Sequence, residues 1–386
     1  MTTSSTTGPT ATPLVVGVPR EIKPDEHRVA ITPDGVREVG VHGVQVLIEA
    51  GAGTDSSFPD DDYARAGAEV VASAEEVWER AGLICKVKEP QESEFGYFRP
   101  DLTIFTYLHL AAYPGVADAL IEHGVTGVAY ETVEVANGAL PLLAPMSEVA
   151  GRMSAQIGAH YLERHNGGRG VLMGGAPGVR PARVAVLGAG NVGWNAAWMC
   201  AGMEAEVDLL DKNVDRLRFI DQIQMGRITT LTSNRGQVER VIAEADLVIG
   251  AVLVPGGRAP IVVTEDMVRS MKPGAVVVDI AIDQGGCVET SHETSHAAPV
   301  FEKHGVVHYA VGNMPGAVPF TSTYALTNVT VPYLAELTRL GVAEAARRDP
   351  ALALGFNTVA GRVTNDAVAE ALGRPLTPLT DALGSN

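Results

Sequence analysis

Residues 183–193, RVAVLGAGNVG, constrain this chain more than any other stretch. An apolar run of strand length meets glycines at 188, 190 and 193, and NVGWNAAWMCAGM then continues with helical character. In that order Gly188 permits a tight turn, Gly190 lets a ligand's phosphates approach the backbone, and Gly193 lets helix and strand pack closely. The N-terminus of the helix then offers its unpaired N–H groups to the phosphate charge. A further strand, EVDLLD, ends at Asp211, 18 residues past Gly193. A carboxylate there accepts hydrogen bonds from ribose hydroxyls and repels a 2'-phosphate, which favours NAD over NADP, although Lys212 and Arg216 bring positive charge to the same edge. About half the chain precedes this motif, so a nucleotide site alone does not account for the molecule.

The first half has a pattern of its own. From Leu14 to about Glu131 the runs VVGVP, VQVLIEA, LICKVK, LTIFTYL and GVAYE are strand-like, and helical segments such as DGVREVGVHG and PGVADALIEHG separate them. That alternation predicts βα units and a mostly parallel sheet. Thr32 is placed to cap the first helix, with Pro33 at its first position and Asp34 at its positive end. PMSEVAGRMSAQIGAHYLERH reads as a long helix with Ser147 near its start, and the glycine-rich NGGRGVLMGGAPGVRPA as the loop delivering the chain to the nucleotide motif. AEVDLLD, ADLVIGAVL, AVVVDIAID and GVVHYAVGN supply a second strand series to about Pro319. From Thr321 the pattern is mainly helical despite Pro332, and a tail too small for its own core must dock on an existing domain. The expected fold is therefore α/β with two domains: residues 1–13 a disordered tail, 14–144 with 320–386 one domain, and 145–319 the nucleotide-binding domain.

Charge and composition narrow the function. The net charge of -17, from 46 acidic against 29 basic residues, opposes binding to nucleic acid, which needs basic patches to neutralise phosphates. Cys85, Cys200 and Cys287 are too scattered for a disulfide framework or a CxxC pair, which fits a reducing cytoplasm. MTTSSTTGPTATP lacks the charged and apolar regions of a signal peptide, and no apolar run approaches the ~20 residues that span a bilayer. His160, His308 and the other histidines show no spacing of the HExxH type, so no metal is expected. Trp194 and Trp198, four apart on the helix of the glycine motif, read as core or interface residues rather than ligand contacts.

Ligands in open α/β sheets bind beyond the carboxyl ends of the strands, and the polar residues found there are the candidates for chemistry. After VVGVP come Arg20, Lys23 and Arg28; LICKVKEP presents Lys86 and Lys88, which a strand's period of two would put on one face. IFTYL leads to His109. In the second series Asp283 follows an apolar run in AIDQGG, where turn formation with Gly285 and Gly286 is its other reading, and Asn313 and Met314 follow in VGNMPG. An arginine clamps a carboxylate, a lysine polarises a carbonyl and a histidine moves protons near neutral pH. Together with hydride transfer, that set suits oxidation of a small amino or hydroxy acid.

VPREIKPDEHRVAITPDGV, LICKVKEP, FTYLHLAA, AYETVE, LPLLAPMSEVAGRMSAQ, GGRGVLMGG, DLVIGAVLVPG, VDIAIDQGGC, NMPGAVP and STYALTN, in this order, resemble the alanine dehydrogenase and pyridine nucleotide transhydrogenase family. The resemblance runs from about Val15 to Leu340. It implies two doubly wound Rossmann-like domains with a cleft between them, C-terminal helices returning to the first domain, and a homo-hexamer. The implied reaction converts L-alanine, NAD and water into pyruvate, ammonium and NADH, reversibly. By the same resemblance Arg28 binds the substrate carboxylate, Lys88 contacts the substrate and polarises its carbonyl, and His109 and Asp283 handle the protons. Asp211 matches the ribose-binding acid, Ser147 a residue beside the nucleotide, and Asn313 the residue near the nicotinamide end; Arg216 and Met314 complete the candidate cofactor contacts. Phe320 departs from the pattern, which more often has a basic residue there. A dehydrogenase for another amino acid, a transhydrogenase-like subunit and a catalytically idle nucleotide-binding protein are the alternatives.

Overall fold

The computed structural model describes residues 14–252 and 259–384. The expected disordered tail and most of the AVLVPG strand end lie outside these residues. The chain divides into two compact units, one running to Leu143 and resuming at Pro319, the other Ala144–Val318.

Among the described residues, the first unit is built on eight strands. β1 (Val16–Val18), β2 (Val46–Glu49), β3 (Glu69–Val71), β4 (Leu83–Cys85), β5 (Thr103–Thr106) and β6 (Thr126–Ala129) are parallel and ordered β3-β2-β1-β4-β5-β6. β1, β2, β4 and β5 are buried along their whole length, as expected of strands covered on both faces. Thr32 caps the Pro33–Gly40 helix, its Oγ1 accepting the Gly35 N–H at 3.1 Å.

The described residues of the second unit contain seven strands: β7 (Arg183–Leu187), β8 (Glu206–Asp211), β9 (Thr229–Thr232), β10 (Leu247–Gly250), β11 (Val276–Asp279), β12 (Val300–Lys303) and β13 (Val306–Tyr309). Their order is β9-β8-β7-β10-β11-β13-β12, parallel except for the antiparallel edge strand β12. Both sheets are thus doubly wound, with the order reversing beside β1 in one and beside β7 in the other. The long helix expected near Ser147 spans Ala144–Tyr161. Glycines fix how closely it packs: a Cβ on Gly151 would lie 2.2 Å from the Val192 carbonyl oxygen, and one on Gly158 would lie 2.3 Å from Leu247 Cδ2.

The C-terminal segment returns to the first unit, in part as more strand than the helical pattern suggested. Helix Pro319–Leu340 contains Pro332 and is followed by β14 (Phe356–Val359) and β15 (Arg362–Val363), which extend the first sheet antiparallel beyond β6. Thr323 Oγ1 on that helix accepts the Val29 N–H at 3.2 Å and shares a hydrogen bond with Ser56 Oγ. Phe320 stacks on Phe58, ring centroids 6.0 Å apart, and meets Tyr324 edge-on, so the aromatic residue has local packing partners.

Candidate active site

In the first unit the chemistry collects at the carboxyl ends of four adjacent strands, β1, β4, β5 and β6, including the place where the strand order reverses. Arg28, on the loop after β1, is only 3% exposed. Its Nε donates to Glu26 Oε1 at 2.6 Å, its Nη2 pairs with Glu26 Oε2, and its backbone N–H donates to Glu26 Oε1 at 3.0 Å. Burial works against the charge on Glu26, but Arg28, with a smaller pull from Lys88, overrides it and holds the carboxyl at about 2. Glu26 therefore stays ionised and fixes the orientation of the guanidinium. Arg20, on the same loop, is exposed.

The two lysines after β4 have separate environments. The strand ends at Cys85, short of both, so the alternation that was to put them on one face does not govern them. Lys86 is fully buried in an ion-pair network with Glu21 Oε2 at 3.1 Å and Glu94 Oε1 at 3.0 Å. Glu21 also accepts the Val87 N–H at 2.6 Å and the Lys88 N–H at 3.4 Å, anchoring the backbone on which Lys88 sits. Lys88 is half-buried, and Thr106 of β5 donates to its carbonyl at 3.0 Å. Its charge is felt at Glu26, His109 and Glu131. Lys88 thus belongs to the cluster with Arg28, whereas Lys86 holds the loop together.

His109 lies three residues past the end of β5. Its ring stacks on Tyr107, centroids 5.6 Å apart and planes 4° from parallel, and Tyr107 is fixed by its hydroxyl donating to the Leu142 carbonyl at 2.6 Å. Burial, then the cations Lys88, Lys23 and Arg28, push the imidazole down to about 3. His109 is therefore neutral at physiological pH. Lys23 is itself paired with Glu89 and bonded to the Tyr113 hydroxyl at 3.1 Å.

Glu131, in the 3-10 turn after β6, joins the same group and had no role in the sequence reading. Its carboxylate accepts the N–H groups of Leu108 and His109. Burial pushes it up to about 7, against the pull of those N–H groups and of Lys88. The signal that could have found it is the rule that found His109: it is the first carboxylate after a buried strand in the same sheet.

The second unit places the cofactor candidates on the corresponding edge of its own sheet. Gly188 has φ +102°, which an L side chain rarely adopts, and a Cβ there would lie 2.5 Å from the Ala251 carbonyl. A Cβ on Gly193 would fall 1.7 Å from the Gly188 carbonyl, whereas at Gly190 it would meet none of the described residues within 4 Å. Gly188 and Gly193 are thus demanded by the chain's own packing, and Gly190, at the start of helix Asn191–Gly202, leaves space in which a ligand can approach. Asp211, at the end of β8, accepts the Ala189 N–H at 2.6 Å through Oδ2 and the Asn213 N–H at 2.6 Å through Oδ1. A carboxylate has about four acceptor positions, so these bonds leave capacity for ribose hydroxyls. The glycine turn, the helix start and this acid fit a dinucleotide.

The remaining candidates are spread around that unit. Asp283 is exposed in the Ile280–Gln284 turn, closed by Gly285 at φ +92°, so its turn-forming reading is realised in the structure. Asp279 pins the loop by accepting the N–H groups of Cys287 at 3.1 Å and Val288 at 3.0 Å. A Cβ at Gly312 would lie 2.8 Å from Asp283 Oδ1, which places Asp283 beside the segment carrying Asn313 and Met314. The Asn313 carbonyl is bonded to His296 Nε2 at 2.9 Å; Met314 is buried and Ser147 half-buried. Arg216 is exposed, and its backbone N–H donates to Asn213 Oδ1 at 3.2 Å. Trp198 is 46% exposed rather than part of the core, stacked on Trp194 with Arg152 over its ring. Among the described residues no group of three or more histidines, cysteines or acids is placed to hold a metal ion, and no helix is long and apolar enough to cross a membrane.

The family model for the alanine dehydrogenase/PNT N-terminal domain matches residues 17–150, and that for the C-terminal domain matches residues 154–366. The chain belongs to the alanine dehydrogenase/PNT family. It is 54% identical over 371 residues to the alanine dehydrogenase of Bacillus subtilis, covering 96% of this chain and 98% of that one. It is 52% identical to that of Methanococcus maripaludis over 96% of this chain and 100% of the relative. A solved L-alanine dehydrogenase superposes with a TM-score of 0.90 at 50% identity, covering 93% of this chain and 99% of that one. A transhydrogenase from Sinorhizobium meliloti follows at 0.78 and 26% identity, covering 92% and 99%. Family membership makes the cofactor a nicotinamide nucleotide.

Proposed function

We propose that the chain catalyses the reversible NAD-dependent oxidative deamination of L-alanine to pyruvate and ammonium. The observation that carries this reading is the cluster of Arg28, Lys88 and neutral His109 at the ends of β1, β4 and β5, in a chain more than half identical to alanine dehydrogenases. A bound NAD supplies the hydride acceptor; Gly188, Gly190, Gly193 and the start of helix Asn191–Gly202 would hold its phosphates, and Asp211 its ribose. Ser147, Arg216, Asn313 and Met314 complete the proposed contacts.

Arg28, oriented by Glu26, binds the substrate carboxylate, and Lys88 steadies the same substrate and polarises the carbonyl of pyruvate. His109, neutral before substrate arrives, accepts a proton released as the amine becomes an imine and water adds to it. Asp283 is the second proton-handling group in this proposal. The carboxylate on Asp211 favours NAD over NADP. A homo-hexamer and a cytoplasmic location belong to the same reading.

The direct test follows NADH absorbance with pyruvate and ammonium, with each substrate omitted in turn and with NADPH in place of NADH. Oxidation that needs both substrates and prefers NADH is expected. Oxidation that proceeds without ammonium, or with another keto acid but not pyruvate, would overturn the reading.

The titrating groups also set a pH dependence for binding. Pyruvate is an anion, and protonating Glu131, at about 7, or His109, at about 3, makes a site that already holds Arg28, Lys88, Lys23 and Glu26 more positive. An anion that favours the protonated forms raises both pKa values, so by linkage pyruvate binds more tightly as pH falls, by up to about tenfold per pH unit for each proton linked. Calorimetric titration of the NADH complex with pyruvate is expected to show a tightening of about two- to tenfold between pH 8.5 and 6. An affinity that weakens over that range would contradict the proposed electrostatics.

A further inference from the structure

His109 has φ +46°, in the left-handed region that a non-glycine residue adopts at a cost and keeps only where the surroundings enforce it. Glu131 is what meets that backbone. Its Oε1 accepts the His109 N–H at 2.6 Å and the Leu108 N–H at 3.2 Å, and its Oε2 lies 3.3 Å from the Leu108 nitrogen. Two successive N–H groups converging where the chain enters a left-handed residue form a concave anion seat, and a carboxylate fills it here. On the far side the His109 carbonyl accepts the N–H groups of Ala112 at 2.8 Å and Tyr113 at 3.1 Å. The nearest approach of the imidazole to Glu131, Nδ1 to Oε1, is 3.9 Å, too long for a hydrogen bond. Glu131 therefore acts on the backbone of His109 and not on its ring.

We infer that Glu131 is a positioning residue, whose carboxylate holds His109 in its strained conformation and so sets the imidazole beside Lys88 and Arg28. The cost of burying a carboxylate supports the assignment: the Glu131 side chain is only 13% exposed, and it accepts the backbone N–H groups of Leu108 and of His109, the residue that carries the imidazole. The inference rests on the acid–base role proposed for His109.

The test compares Glu131→Ala with Glu131→Gln in the full chain, and carries His109→Gln alongside. Glutamine keeps one carbonyl oxygen, and in the native site a single oxygen, Oε1, already serves both N–H groups. Glu131→Ala is expected to lower kcat by about thirtyfold or more, with KM for pyruvate and NADH affinity within about threefold of wild type; a general acid–base group contributes about 10²–10⁴ in all. Glu131→Gln is expected to recover kcat to within about fivefold of wild type, a rescue that loss of a merely structural contact would not show. Should the alanine variant fail to fold, Glu131→Asp shortens the reach while keeping the charge, and the same loss of kcat is expected.

A folded alanine or aspartate variant with wild-type kcat would overturn the assignment, as would a glutamine variant no better than alanine. Full turnover in His109→Gln would instead overturn the role given to His109. Loss of turnover there with full turnover in Glu131→Ala would remove only Glu131.

Discussion

Replacing His109 with alanine is expected to lower kcat for alanine oxidation by about 10²–10⁴, the range for losing a positioned acid–base group, while NADH affinity stays nearly unchanged. The reason is local. The imidazole is pushed down to about 3 by burial and three cations, so it is present in its neutral form, and the cations that face it, Lys88, Lys23 and Arg28, cannot take its place as an acceptor. NADH affinity is the control because the proposed nucleotide contacts belong to the other unit. Lys88→Ala should behave in the same way, since Glu21 and Thr106 fix the backbone of residue 88 without help from its side chain. Steady-state rates with a parallel NADH titration decide the matter. A variant that loses turnover and nucleotide binding together would point to a folding role.

Adding one methyl group at Gly193 should be as damaging, for a steric reason. A Cβ there would sit 1.7 Å from the Gly188 carbonyl oxygen and 3.3 Å from Ala251 Cβ, so helix Asn191–Gly202 cannot keep its distance from β7. Gly193→Ala is expected to weaken NADH binding by more than about a hundredfold, equivalent to some 2.7 kcal/mol, and to lower the melting temperature. Gly190→Ala makes the contrast: its Cβ would meet no atom of the described residues within 4 Å, so the fold should persist. Weaker NADH binding in that variant would then report only on how closely the phosphates approach the backbone. Thermal unfolding beside NADH titration of both variants checks this, and a Gly193→Ala protein with native affinity would refute the packing argument.

Much of this architecture is legible in the sequence because both units repeat one local logic. Buried strands appear as apolar runs, the turn after β7 needs its glycines, and polar residues just past a strand stand where ligands meet doubly wound sheets. That rule reaches Arg28, Lys88, His109 and Asp211 without any contact being known. It fails where a residue's meaning depends on what another segment brings to it. Lys86 looked equivalent to Lys88, yet it is consumed by Glu21 and Glu94. Glu26 stands two residues before Arg28, but only the fold of the loop turns it back onto the guanidinium. Glu131 closes a strand-like run, and its importance comes from N–H groups contributed by the neighbouring strand end. β14 and β15 lay in a tail read as helical, and the pairing of β14 with β6 is a contact across more than two hundred residues of sequence.

The most direct measurement is the fate of the hydrogen on Cα. Given L-alanine deuterated at that carbon, the enzyme is expected to place one deuterium in the reduced nicotinamide for each pyruvate formed, with a rate below that of unlabelled alanine. Deuterium released to water, leaving the reduced cofactor unlabelled, or no turnover of alanine by folded, NAD-binding protein, would contradict the account.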